Sequence, residues 1–120
     1  MVLILILNAF TLHFFITMGL SLAAFWIEEV RGYELVFTRV MMILGGLMVP
    51  LEIFPAWLEK IARVLPFQQM IYVPATYVVG TSTGSFWSAV AGQLIWVIIF
   101  ILVTAGIFYK GVKKLNVNGG

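Results

Sequence analysis

From Val2 to Ile27 the chain is apolar and carries no formal charge. As an α-helix this run would reach roughly 39 Å, more than the ~30 Å hydrocarbon core of a bilayer. A polar turn, "WIEEVRGYE", interrupts it; it holds Glu28, Glu29, Arg31 and Glu34, with Gly32 as a residue able to break a helix and Trp26 and Tyr33 suited to an interface. A second apolar run extends from about Tyr33 to Ile53, with Arg39 near its start, and a third from about Phe86 to Tyr109. Spanning segments must satisfy their own backbone hydrogen bonds, and these runs lack the alternation of a β-barrel. The pattern therefore predicts an all-α polytopic membrane protein with three transmembrane helices.

Between the second and third runs the pattern changes. In "GGLMVPLEIFPAWLEKIARVLPF", Gly45 and Gly46 permit close approach of a neighbour, and Pro50 is expected to kink or end the helix. Pro50, Pro55, Pro66 and Pro74 are the chain's four prolines, so the interruptions are concentrated here. Pro55 fits the first turn of a short helix that Pro66 closes. Trp57, Leu58, Ile61 and Leu65 form its apolar face, and Glu59, Lys60 and Arg63 lie opposite, with Glu59 and Arg63 spaced for an i,i+4 pair. "FQQMIYVPATYVVG" then runs to Gly80, too short to cross. Residues 54–80 are predicted to form a re-entrant or interfacial helical hairpin that dips into the outer leaflet and returns.

Composition makes the bilayer necessary. The chain of 120 residues is 62% apolar and 10% charged, against about 45–50% and about 25% in soluble domains. Basic residues set the orientation by the positive-inside rule. With Lys110, Lys113 and Lys114 in the cytoplasm, three spans also put Arg31 and Arg39 inside, leaving only Lys60 and Arg63 of the seven basic residues outside. The expectation is a multi-pass plasma-membrane protein with its N-terminus outside and its C-terminus cytoplasmic. No basic region precedes the first span to orient it or to mark a signal peptide, so the chain reads as the C-terminal part of something larger.

Little catalytic chemistry is present. There is no Cys and no Asp, and one His, so neither disulfides nor a metal cage is expected. No phosphate-binding G-x-x-x-x-G-K-[ST] loop occurs, and "GTSTGS" (80–85) lacks the lysine. The chain is read as a non-enzyme without a cofactor of its own and without nucleic-acid contacts. His13 sits at membrane depth and reads as a hydrogen-bonding group toward a neighbouring helix, since no carboxylate lies at matching depth. Helix packing is assigned to Gly19 and Ala23 in the first span, to Gly45 and Gly46, and to Ser88, Gly92 and Gln93 in the third. Ser85 is the expected N-cap of that last helix.

The series "FWIEEVRG", "GGLMVPLEIFPAWLEKIARVLPF", "YVPATYVVG", "GQLIW" and "KKLNVNGG", in this order across residues 26–120, resembles the C-terminal half of an ABC-2 type transporter permease. The resemblance rests on G-x-x-x-P-L-x-x-F-P-x-W-L, then L-P-F and P-x-x-x-x-x-G. It implies that residues 1–120 are one transmembrane domain, half of a six-helix permease whose first three helices are missing. It also implies a second permease half and cytoplasmic ATP-binding subunits that supply the ATP chemistry. The cargo would be a drug, lipid or glycan-like substrate exported by alternating access. Pro50, Glu52, Phe54, Pro55, Trp57, Leu65, Pro66, Phe67, Tyr72 and Pro74 would then shape the exit, with Phe54, Trp57, Phe67 and Tyr72 lining it or anchoring it in the headgroups. Two other readings are open. A small ion-coupled multidrug transporter would need Glu52 as its membrane-depth carboxylate, and a non-transporting membrane assembly protein would need only the small-residue strips.

Overall fold

The computed structural model describes residues 1–119, and side chains through Asn116. Six helices follow in order: α1 (Val2–Leu22), α2 (Arg31–Leu44), α3 (Ala56–Val64), α4 (Pro66–Met70), α5 (Tyr72–Val79) and α6 (Phe86–Gly119). No strand occurs among the described residues. α1 continues through a 3-10 turn at Ala23–Phe25, and another such turn, Leu51–Ile53, precedes α3. Among the described residues, Val2–Phe25 and Phe86–Asn116 are the two helices long and apolar enough to cross a membrane. Their most apolar windows are only 28% and 22% buried, whereas the core helix of a soluble protein would be mostly covered.

α1 and α6 form the main seam, and three contacts fix its direction. Gln93 of α6 bonds the Leu5 carbonyl, Thr104 bonds the Phe15 carbonyl, and Gly111 lies under the Phe25 ring. Both residue numbers rise together, so the helices run parallel. α2 returns antiparallel to α1: Phe37 lies beside His13, and Met41 shares a cavity wall with Ile6, Ala9 and Phe10 further back along α1.

The second predicted span is much shorter than expected. α2 begins at Arg31, so Gly32 sits inside its first turn and does not break the chain. It ends at Leu44, well before Pro50, and at about 1.5 Å per residue covers roughly 21 Å. The glycines end it: Gly46 adopts φ +80, a conformation that strains side-chain-bearing residues, and the Leu47 and Met48 amides both donate to Met42 O at 3.1 Å. At the other end of the chain the helix overshoots, because Lys110, Lys113 and Lys114 lie on the last turns of α6 and not on a separate tail. Gly120, the last residue of the Gly-Gly close, lies outside the described residues.

The hairpin has three helices where two were expected. Leu65 is extended and Pro66 opens α4 at N1, where its missing N–H costs nothing. Pro74 explains the second break. It cannot donate to Met70 O and its ring would crowd that carbonyl, so α4 stops at Met70 and α5 starts at Tyr72. The short α4 is wedged into the bundle. Met70 clusters with Leu12 and Ile16 of α1 and Val97 of α6, and Phe67 and Phe37 pack around them. Leu12 lies ~15 Å along α1 from Val2, so the hairpin penetrates well below the helix ends.

Candidate functional site

Breaking a helix at that depth exposes carbonyls that only other protein groups can satisfy. Two glutamines supply the donors. Gln68 Nε2 donates to the Arg63 carbonyl at the end of α3. Gln93, fully buried, donates through Nε2 to Gln69 O (2.9 Å) and to Leu5 O (3.0 Å), tying α4 to α6 and α1 at one point. Gly92 makes room for the contact, since a Cβ there would meet Gln69 Nε2 at 3.1 Å. The Oε1 atoms of Gln69 and Gln93 are buried with no donor.

Next to this junction lies a polar cavity of about 530 Å³. Glu52, Arg63, Gln69 and Tyr72 line it together with the Thr81–Ser85 loop and Ser88. Tyr72 is positioned twice over. Its ring covers Gly46, where a Cβ would stand 3.1 Å from Cδ2, and its hydroxyl donates to Glu52 Oε1. Arg63 stands 5.7 Å from the Tyr72 ring centroid, donates from Nε and Nη2 to Glu59 Oε1 at 2.9 and 2.7 Å, and reaches Glu52 only at 4.0 Å. The Tyr72 hydrogen bond, then a backbone hydrogen bond, hold Glu52 below the usual carboxylate range against desolvation, with the Arg63 charge adding least. The same bond to Glu52, with desolvation and the Glu52 charge, raises Tyr72. The Glu59 hydrogen bond raises Arg63 further.

A second, apolar cavity of about 200 Å³ lies between α1, α2 and the hairpin. Ile6, His13, Met41 and Ile71 are among its walls. His13 stacks on Phe37 at 6.3 Å between centroids.

The predicted exit residues separate into different environments. Of the four aromatics, Tyr72 lines the polar cavity. Phe67 belongs to the core, 5.9 Å from Phe37, and Phe54 is half-buried after the Leu51–Ile53 turn. Trp57 is 66% exposed and shares an exposed apolar edge of α3 with Ile61 and Val64. Glu52 lies in the turn after α2, with its side chain 56% exposed. Pro50 and Pro55 flank that turn in extended conformation, and Leu65 and Pro66 form the α3–α4 joint.

The packing residues also divide. Gly19 is buried on Thr104, where a Cβ would meet Oγ1 at 3.3 Å, and Ala23 sits half-buried in the 3-10 turn facing α6. Gly45 is buried, and a Cβ there would press on Ile71 Cδ1 (2.9 Å) and Phe67 O (3.2 Å). Ser88 is exposed, and its hydroxyl donates to Ser85 O at 2.7 Å. Ser85 precedes α6 and contributes its carbonyl, which also accepts from the Ala89 amide. Sequence reasoning missed Gln68, Gln69, Thr104 and Gly111. The available signal was an adjacent pair of amides in an otherwise apolar run.

Long exposed apolar helices, seamed by small residues around a wedged broken hairpin, define a helical membrane protein. The match to known families specifies which. The chain belongs to the ABC-2 family transporter proteins, whose family model covers residues 1–119 and so includes α1 as well as the motif-bearing region. It is therefore a permease component of an ABC transporter. No curated protein and no solved structure matches the chain.

Proposed function

We propose that the chain forms the last three crossings of a six-helix exporter permease in the plasma membrane. The observation that carries this reading is the parallel α1–α6 seam. Two parallel spans require the chain to cross back once between them, and α2 with the turn after it is the available segment. Helices of nine, five and eight residues, α3 to α5, are too short to add a fourth crossing. The lysines at the end of α6 favour a cytoplasmic C-terminus, with the N-terminus of α1, the hairpin and its polar cavity on the outside.

In this reading the chain joins a three-helix N-terminal half, a second permease half and two cytoplasmic ATP-binding subunits. Closure of the ATPases rocks the permease halves between inward and outward access, and the wedged hairpin shapes the exit for a drug, lipid or glycan-like cargo. The ATP chemistry belongs to the partner subunits. Affinity purification of the full-length gene product from native membranes tests this. An ATP-binding subunit should be retained in stoichiometric amount, and its consistent absence after crosslinking overturns the proposal.

A further inference from the structure

Exposed aromatic residues mark the two ends of α6. Trp87 and Tyr109 lie roughly 33 Å apart along the helix, close to the ~30 Å thickness of a hydrocarbon core. Lys110, Lys113 and Lys114 follow Tyr109 directly, which places them at headgroup depth. Positions three and four apart share a helix face, and all three lysines are exposed, while Gly111 among them is buried under the Phe25 ring. Lys113 turns back toward the span, with Nζ 4.5 Å from the centroid of the Tyr109 ring. Phe108 and Leu115, 51% and 57% exposed, put apolar surface among the ammonium groups, as a helix end in the headgroup layer requires. Trp26, 6.1 Å from Phe25 between ring centroids, adds an interfacial aromatic beside this end.

The lysines keep their charge free. α6 contains no acidic residue, and both ion pairs among the described residues belong to Arg63 of the hairpin. The polar turn after α1 and the start of α2 hold Glu28, Glu29 and Glu34 against Arg31 and Arg39. Counted with the lysines, they leave this end positive, five basic residues against three acidic. We propose that the Lys110–Lys113–Lys114 face binds the phosphate of an anionic phospholipid headgroup, with Tyr109 at the glycerol level below it. Depth favours lipid over a protein partner, because Lys113 is folded onto Tyr109 at the membrane edge and not extended into water. The site goes beyond the permease reading: it requires that α6 cross the bilayer, whichever side its end faces.

The chain has no cysteine, so a single fluorophore can be attached at Leu115→Cys beside the lysines or, in a second protein, at Ser85→Cys before the far end of α6. The full chain is reconstituted in phosphatidylcholine vesicles that carry a small fraction of nitroxide-labelled phosphatidylglycerol or, in parallel, of nitroxide-labelled phosphatidylcholine. Phosphatidylglycerol should quench more strongly than phosphatidylcholine at Leu115→Cys, and the two lipids equally at Ser85→Cys. Each Lys→Gln should lower the relative affinity for phosphatidylglycerol about fivefold, and the triple glutamine variant should abolish the excess. Lys→Arg at the same three positions should keep it, which separates charge from folding. Equal quenching by the two lipids at Leu115→Cys, the same excess at both ends, or an excess unchanged in the triple glutamine variant overturns the proposal. Inorganic phosphate at constant ionic strength should leave the excess in place; its loss assigns the lysines to free phosphate and overturns the lipid assignment. An ATP-binding subunit that shields the lysines from amine acylation, where no lipid excess is seen, assigns the face to that subunit and overturns it as well.

Discussion

The α1–α6 seam and the α3–α5 hairpin solve the same problem from opposite starting points. In the long helices nearly every backbone group is satisfied internally, so contact between them needs only room and a few polar stitches. Gly19 under Thr104 and Gly111 under Phe25 give the room, and Thr104 and Gln93 make the stitches. The hairpin is broken at Leu65 and Ile71, and its freed carbonyls depend on Gln68 and Gln93. Gln93 serves both regions. The difference teaches that a long helix tolerates loss of a side chain at the seam, while the hairpin depends on particular donors for its backbone.

Gln93→Leu should break this contrast most severely. It leaves Gln69 O buried without a donor, for a loss of about 1–3 kcal/mol. Cysteine labelling by a water-soluble reagent should become faster at residues of α4 and α5 and stay unchanged along α1. Gly111→Val comes next, because any Cβ there overlaps the Phe25 ring. Overpacking should cost about 1–3 kcal/mol in detergent unfolding and be relieved by adding Phe25→Ala. Thr104→Val removes one bond to Phe15 O (3.1 Å) from a seam that is otherwise self-sufficient. About 0.6 kcal/mol is expected, the usual value of such bonds between membrane helices.

The Glu52–Tyr72 bond should show itself as a pH window. Glu52 is depressed on folding, so its contribution is present above the ordinary carboxylate pKa of about 4.3 and is lost as pH falls through its lower folded value. Tyr72 is raised, so its contribution is present below about 10 and is lost as pH rises through its higher folded value. Labelling of the cavity rim at Thr83→Cys should therefore increase at both extremes, and Tyr72→Phe should flatten both limbs. The smallest effect belongs to Glu59→Gln, which removes a partly exposed i,i+4 pair worth about 0.3–0.5 kcal/mol.

Legibility in the sequence followed the same division. The long helices were readable because absence of charge over a membrane thickness is a property of a window. Glu59–Arg63 was readable because its spacing is local, and the structure contains it. The end of α2 was misjudged because Pro50 was the more conspicuous breaker, while paired glycines at 45 and 46 ended the helix first. The split between α4 and α5 follows from Pro74 acting one turn upstream, on Met70, where nothing in the local composition marks it. The polar cavity joins Glu52 to Tyr72 and Arg63 to Glu59 through a fold-back whose register no spacing reveals. The direction of the α1–α6 seam rests on pairs 88 and 89 residues apart.

That separation also has a meaning in time. At about 5–20 residues per second, ribosomal synthesis puts roughly 4–18 s between Leu5 and Gln93. α1 can wait through that interval as a lone helix in lipid, since its backbone asks nothing of its neighbours. The hairpin is made earlier than Gln93 yet cannot hold its wedged position without it. Assembly should therefore finish in reverse of the reading order: the last helix delivered is the one that seats the segment made before it.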